Sequence, residues 1–403
     1  MGAGPIGIPS TGNPLYMEEE NRDLRQFILS HIKETGPIPF SQFMAWCLYH
    51  PLHGYYSSEG IKIGVEGDYY SSPSVHPLFG RLVAKQLAQM AAILGGGPFD
   101  VVEMGGGRGF LCKDILDWLR SYNKACYGRL RYTLIEKTPH FVEEQKGRLS
   151  SYEKEGKVFW TDPKTFEGQE TLMEGCYLSN ELIDSFPVHR VTVHHGVLKE
   201  IYVTQENDQF AECLQDLSDP RISDYFRRMG VVLEEGQRAE VNLEALHWIE
   251  RVACRLTRGF VITIDYGYLA EELYAPRRRE GTLLCYFRHR VSENPYERLG
   301  KQDMTSHVNF TGLIQKGEEV GLRCAGLVPQ YRFLLALGLL QETESMGKGL
   351  STLNGLKLRL SLKHLIESES GMGEIFKVLI QHKGVDQPQL MGLRDLDTVP
   401  WPA

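Results

Sequence analysis

The sequence predicts an α/β fold: a Rossmann-like parallel sheet with an N-terminal helical cap and inserted β/α accessory elements. Three observations predict it. From Pro98 onward, short apolar runs, glycine turns and helical patterns repeat in that order, as they do where crossover helices join parallel strands. The run Gly105-Gly-Gly107-Arg-Gly109 follows an apolar strand and precedes the helical pattern Phe110, Leu111, Ile115, Leu116, Leu119. Each candidate strand closes near a polar or acidic residue, the pattern of a sheet whose strand C-termini line a ligand crevice.

Residues 1–16 are rich in Gly and Pro and read as a flexible leader. The leader lacks the apolar core of a signal peptide and the arginines of a transit peptide, and Ile6 stands where a myristoylation motif needs Ser or Thr. Residues 17–97 read as a helical segment followed by a long loop. Leu24, Phe27, Ile28 and Ile32 recur at helical spacing, Gly36-Pro37 ends that helix, and a second runs from Phe40 to Tyr49. The core, 98–187, holds candidate strands at Phe99–Met104, Arg131–Glu136, Lys157–Thr161 and Gly175–Ser179, with a fifth at Gly259–Asp265. Alternation in VHRVTVHHGVLKEIYVT marks 188–243 as an antiparallel hairpin inserted into the wound sheet, a wall beside the site. Residues 244–403 complete the core, with a second interruption over Tyr268–Phe310, a Leu-rich helical stretch and a last strand at Glu374–His382.

Composition excludes several function classes. With 42% hydrophobic and 24% charged residues, the 403-residue chain is composed like a globular protein. Its net charge of -8 gives no pull toward nucleic acid or an anionic membrane, so no nucleic-acid partner is expected. No apolar run approaches the roughly 20 residues that span a bilayer. The eight cysteines include no C-x-x-C pair, which argues against a zinc knuckle and a dithiol redox site. Reduced thiols in a bacterial-type cytoplasm are expected, with the mitochondrial matrix as the alternative compartment. His194 and His195 are neighbours on a strand and would point to opposite faces, so no metal site is expected.

The glycine spacing separates two cofactor classes. In a dinucleotide fingerprint counted from Gly105 the third glycine would fall on Phe110, and the acid Glu136 lies roughly thirty rather than about twenty residues beyond the loop. Both features disfavour an NAD-dependent oxidoreductase. The E-x-G-x-G-x-G form from Glu103 to Gly109 instead resembles the first motif of class I methyltransferases, where the compact amino-acid end of S-adenosylmethionine (SAM) packs over the glycines. Glu136 closes the second strand, where such enzymes hold both ribose hydroxyls with a carboxylate. Asp162, just past the third strand, matches the carboxylate that meets the adenine amino group. The alternative for both acids is an ordinary solvated place at a strand end.

After the fourth strand comes Ser179-Asn180-Glu181-Leu182-Ile183-Asp184-Ser185-Phe186-Pro187. Glu181 and Asp184 are three apart, so a helical turn there would put both carboxylates on one side, able to clamp a guanidinium. A simple acidic helix start is the alternative. Alongside N-E-x-x-D-x-x-P-V stand G-D-Y-Y-S-S-P at 67–73, I-D-Y-G at 264–267, G-T-L at 281–283 and D-M-T-S-H-V-N-F at 303–310. From about residue 20 to residue 384 the chain thereby resembles the MidA family of SAM-dependent methyltransferases, which includes the mitochondrial methyltransferase that assists respiratory complex I assembly.

The resemblance implies arginine methylation of a protein substrate, a complex I subunit being the partner associated with the mitochondrial member. Glu103, Gly105, Gly107, Gly109, Glu136 and Asp162 are the expected cofactor-binding residues, with Asp68, Ser72 and Pro73 from a loop expected to lie over the cofactor. An arginine acceptor needs a carboxylate nearby to hold its positive charge on the far nitrogens. Glu181 and Asp184 are the first candidates, with Asn180 beside them and Asp265 and Tyr266 at the end of the fifth strand. For His289, Asp303, Thr305 and His307 a structural hydrogen-bonding role is favoured. Two further classes stay open: a methyltransferase for a small molecule or nucleic acid, and an assembly chaperone that retains the SAM fold.

Overall fold

The computed structural model describes residues 20–57, 72–168, 172–347 and 375–396. The leader, Asp68 and Ser71 lie outside them. The chain divides into two units: an accessory unit of Met1–Tyr69, Ile183–Trp248 and Tyr268–Leu313, and a sheet unit of Tyr70–Leu182, Ile249–Gly267 and Ile314–Ala403.

Among the described residues the strands of the sheet unit, taken here in chain order, are Phe99–Met104, Leu130–Ile135, Val158–Thr161, Met173–Asn180, Leu256–Tyr268, Arg323–Pro329 and Phe376–Lys383. Across the sheet they lie in the order sixth, seventh, fifth, fourth, first, second, third. The first five run parallel, and the seventh is antiparallel to both of its neighbours. Phe99, Val101, Leu130, Tyr132, Leu178, Phe260, Ile262 and Ile380 enter one core from one face of the sheet. On the other face Val102, Tyr177, Val261 and Leu379 are buried too, which is why these strands read as continuous apolar runs. Helices Leu78–Leu94 and Phe110–Tyr122 add Leu82, Leu87, Ile115 and Leu119 to it. Each such side chain contributes about 1.5–3 kcal/mol on burial. Strand order reverses between the first and fourth strands, so the glycine loop and the segment after Asn180 emerge at the switch point, where open α/β sheets bind their ligands.

In the accessory unit, helix Arg22–Thr35 starts on Asn21, whose side chain accepts from the Leu24 N–H at 3.1 Å, and helix Phe40–Tyr49 follows. Strands Ile38–Pro39, His189–His194, Val197–Glu206, Gln209–Gln215 and Arg238–Val241 form a separate antiparallel sheet. The inserted segment therefore does not join the wound sheet as expected. Its strands pair with one another and with the N-terminal Ile38–Pro39, Ile38 opposite Val203. The alternation is the physical reason: Ile201 and Val203 are buried while Tyr202 and Thr204, on the opposite face of the same strand, are half-buried, a half-wet pattern suited to an antiparallel sheet. Residues from the second interruption make a three-stranded sheet, Leu284–Phe287, Arg290–Ser292 and Asp303–Thr305. The core of this unit gathers Leu24, Ile28, Phe40, Phe43, Val203, Phe210 and Met304.

His195 corrects one local expectation. It turns off the strand with φ 52, so its ring stands 4.1 Å from that of His194 instead of on the opposite face. Among the described residues no helix is long and apolar enough to cross a membrane.

Candidate active site

The first core strand delivers the glycine loop. Gly105, Gly107 and Gly109 all take positive φ (71, 50 and 77), and Gly109 opens helix Phe110–Tyr122 in the left-handed region. A Cβ on Gly105 would stand 2.8 Å from Leu182 Cδ1, so the loop passes close against the segment that leaves the fourth strand. Glu103, just before the loop, is buried and accepts from the Tyr132 hydroxyl at 2.8 Å. Burial lifts its carboxyl to about 7, the Tyr132 bond opposing and Glu136 adding to the rise.

Glu136 follows the second strand. Its Oε1 accepts the backbone N–H groups of Lys137 and Thr138, both at 3.0 Å, and its pKa is raised by burial against the pull of those donors. Gln145, from helix Pro139–Lys154, ties this acid to the loop. Its Nε2 donates to the Gly107 carbonyl at 2.7 Å and stands 3.5 Å from Glu136 Oε2, while its Oε1 accepts from Trp160 Nε1 at 3.0 Å. Asp162 is exposed and caps helix Pro163–Gly168. Its Oδ1 accepts from the Thr165 N–H at 2.9 Å, its Oδ2 from the Thr165 hydroxyl, and these bonds lower its pKa.

Past the fourth strand the chain does not make the helical turn that would align Glu181 with Asp184. Glu181 takes φ 51, and its N–H donates to Ile264 O at 2.9 Å, continuing the pairing with the fifth strand. The two acids therefore do not share a helix face, and they belong to different units. Glu181 Oε1 accepts from the Ser72 N–H at 3.0 Å and from Asn180 Nδ2 at 2.9 Å. Ser72 and Pro73 lie in the short helix Ser72–Val75, and the Ser72 hydroxyl donates to Gln330 Oε1 at 3.2 Å. Asp265 is fully buried and ties down two backbone donors, Tyr266 N–H at 2.9 Å and Leu182 N–H at 3.3 Å. Tyr266 is itself buried, its ring 5.4 Å from Phe376.

Asp184 sits in the accessory unit among acids and phenols. Its carbonyl accepts from the Ser306 N–H at 2.9 Å, and the Tyr49 hydroxyl donates to the Ser185 carbonyl at 2.9 Å. Asp303 accepts from the Tyr56 hydroxyl at 3.0 Å and from the Met304 N–H at 2.9 Å. The Tyr49 and Tyr56 rings stack at 5.3 Å. Burial first, then Asp184 and Asp303, push the Tyr286 phenol up to about 12. The His307 imidazole is lowered to about 4 by burial and by Arg278, and the His307 backbone N–H donates to Thr282 Oγ1 at 3.1 Å. His289 turns a corner at φ 59.

Gln145 and Gln330 escape a reading based on acids and glycines. The signal for Gln145 is a polar residue on a buried stripe, in line with Phe141, Leu149 and Tyr152. Gln330 likewise precedes the buried Phe333 and Leu334.

The sheet unit suits SAM. The left-handed glycines leave backbone without side chains at the end of the first strand, as the compact amino-acid end of such a cofactor requires, and a Cβ on Gly105 would strike Leu182. Glu136 is a buried carboxylate with lone pairs left beyond its two backbone donors, as a ribose diol requires.

Comparison with known proteins agrees. A family model of S-adenosyl-L-methionine-dependent methyltransferases matches residues 82–328. The chain is 25% identical over 371 residues to the Drosophila melanogaster protein arginine methyltransferase NDUFAF7 homolog, mitochondrial, covering 82% of this chain and 80% of that one. It is 26% identical over 381 residues to the Danio rerio protein arginine methyltransferase NDUFAF7, mitochondrial, covering 89% and 86%. Among solved structures, a Burkholderia thailandensis protein bound to S-adenosyl-homocysteine superposes with a TM-score of 0.83 at 27% identity, covering 96% of this chain and 97% of that one.

Proposed function

The chain belongs to the MidA family of S-adenosyl-L-methionine-dependent methyltransferases, and on that premise we propose that it methylates an arginine side chain of a protein substrate, a respiratory complex I subunit being the first to try. The observation that carries this reading is the placement of Glu181. Its carboxylate is held by two donors at the end of the fourth strand, and the next residue, Leu182, touches the glycine loop. A fixed anion beside the methyl donor suits a cationic acceptor. The names of the animal relatives point the same way.

SAM, when bound, supplies a methyl group already activated on a sulfonium. The protein's task is to align the acceptor nitrogen with that methyl and to exclude water, a gain that comes mainly from positioning. A guanidinium stays protonated at neutral pH, so its charge must be drawn onto the nitrogens that do not react. Glu181 fills that role in our reading, with Asn180 and Ser72 fixing its orientation. Asp184, buried in the accessory unit, is the second acid we assign to the acceptor. Asp265 positions the site by holding Leu182 and Tyr266.

The test incubates the purified protein with methyl-labelled SAM and, separately, mitochondrial and cytosolic extracts, then locates the label by mass spectrometry. Label on an arginine nitrogen of a protein is expected. Label on a small molecule, a nucleic acid or another side chain overturns the arginine assignment. Tight SAM binding without transfer in either extract returns the chain to the assembly-chaperone class.

A further inference from the structure

Two buried side-chain atoms of opposite polarity near Glu181 have no hydrogen-bond partner among the described residues: Asn180 Oδ1, an acceptor, and Gln330 Nε2, a donor. Neither belongs to a flexible surface group. Gln330 is fully buried and Asn180 is 9% exposed. The other end of each amide is committed to one chain of hydrogen bonds. Asn180 Nδ2 donates to Glu181 Oε1 at 2.9 Å, Ser72 N–H donates to that same oxygen at 3.0 Å, and the Ser72 hydroxyl donates to Gln330 Oε1 at 3.2 Å. The two unmet atoms are thus fixed in orientation by their own partners.

An unmet buried polar atom costs about 1–3 kcal/mol, so a matched pair of them calls for a partner from outside the chain. That partner must carry an anion or acceptor for Gln330 and a cation or donor for Asn180. The amino-acid end of SAM carries both, an α-carboxylate and an α-ammonium. The chain of bonds also lies at the correct end of the crevice, since Leu182, next to Glu181, is the residue a Cβ on Gly105 would strike. We propose that Gln330 is a cofactor-specificity residue whose side-chain amide donates to the α-carboxylate of SAM, while the Asn180 carbonyl accepts from its α-ammonium. The inference rests on placing the cofactor at the glycine loop and adds the groups that read its amino-acid end. Gln330 sits at the start of helix Gln330–Ala336, far along the chain from the loop it serves.

Calorimetry with two ligands tests it: S-adenosylhomocysteine, which has the amino-acid end, and 5′-methylthioadenosine, which lacks it. The proteins are the full chain, Gln330→Met, which removes the donor at similar length, and Gln330→Glu, which can still accept from Ser72 but turns an anion toward the α-carboxylate. We expect S-adenosylhomocysteine affinity to fall about tenfold in Gln330→Met, the loss of one charge-assisted hydrogen bond, and further in Gln330→Glu. Methylthioadenosine affinity should stay within about twofold in both. Unchanged S-adenosylhomocysteine affinity in the variants, or an equal loss of both ligands, overturns the inference while leaving the cofactor site in place. Failure of the unaltered protein to bind S-adenosylhomocysteine more tightly than methylthioadenosine overturns it as well. Failure to bind either ligand removes the cofactor site along with it.

Discussion

Replacing Gln145 by Met should loosen the cofactor loop without disturbing the helix that carries it. Methionine is a good helix former of similar length, so helix Pro139–Lys154 and the stripe of Phe141, Leu149 and Tyr152 should persist. Lost are the bond to the Gly107 carbonyl at 2.7 Å, the bond from Trp160 Nε1 at 3.0 Å and the weaker approach to Glu136 at 3.5 Å. Gly107 and Trp160 are half-buried, so water can partly replace the amide. A net loss of about 1 kcal/mol for each of the two good bonds gives about 2 kcal/mol of stability. The untethered Gly107 peptide should weaken S-adenosylhomocysteine about tenfold. Urea unfolding followed by Trp fluorescence reads the first quantity and calorimetry the second. Gln145→Glu sharpens the comparison: it can still accept from Trp160 but sets a carboxylate against the Gly107 carbonyl and Glu136, and should bind the ligand more weakly than Gln145→Met. Wild-type affinity in Gln145→Met would refute the tether, and a loss of stability alone would reduce Gln145 to a packing residue.

Glu136→Gln should weaken S-adenosylhomocysteine by about 1.5–3 kcal/mol, the worth of hydrogen bonds to a charged group, with little change in thermal midpoint because the amide oxygen can still accept from Lys137 and Thr138; indifferent calorimetry would remove the ribose role. Glu181→Gln and Asp184→Asn should keep SAM affinity within about twofold yet lower methyl transfer roughly 100-fold, since the charge is lost and the shape kept; full activity in both would return these acids to structural roles. Glu103 should make stability fall as pH rises. Its carboxyl goes from an ordinary 4.5 to about 7 in the folded protein, so between those values the native state holds a proton that the unfolded chain has released. The contribution, about 3 kcal/mol, is present below pH 4.5 and lost as pH passes 7. Urea midpoints of Glu103→Gln and wild type that run parallel across this range would show that the acid is not perturbed.

Elements set by local pattern were legible in the sequence. The strand Phe99–Met104 and the helix Phe40–Tyr49 occur with the bounds their apolar spacing indicates. The glycine loop was legible for the same reason, a left-handed turn between an apolar strand and an amphipathic helix. Pairing between distant segments was not. Nothing in VHRVTVHHGVLKEIYVT says that Val203 will face Ile38, because register depends on a partner elsewhere in the chain. Glu181 misled for a related reason: its spacing from Asp184 fits a helix, but its N–H is claimed by Ile264 on the fifth strand. Gln145 and Gln330 bond to residues distant in sequence, and amides carry no charge pattern to announce them.

The seventh strand governs how this protein can be made. Phe376–Lys383 lies between the fifth and sixth strands, so both keep a bare edge until the ribosome has passed it. At ordinary elongation speeds the fifth strand, with Phe260, Ile262 and Ile264, waits on the order of ten seconds for its neighbour. An exposed apolar edge is a template for pairing with other chains. The nascent protein is therefore a natural client for chaperones that shield such edges. A chain stopped short of Phe376 should collect in inclusion bodies even though the glycine loop and its acids have all been synthesised.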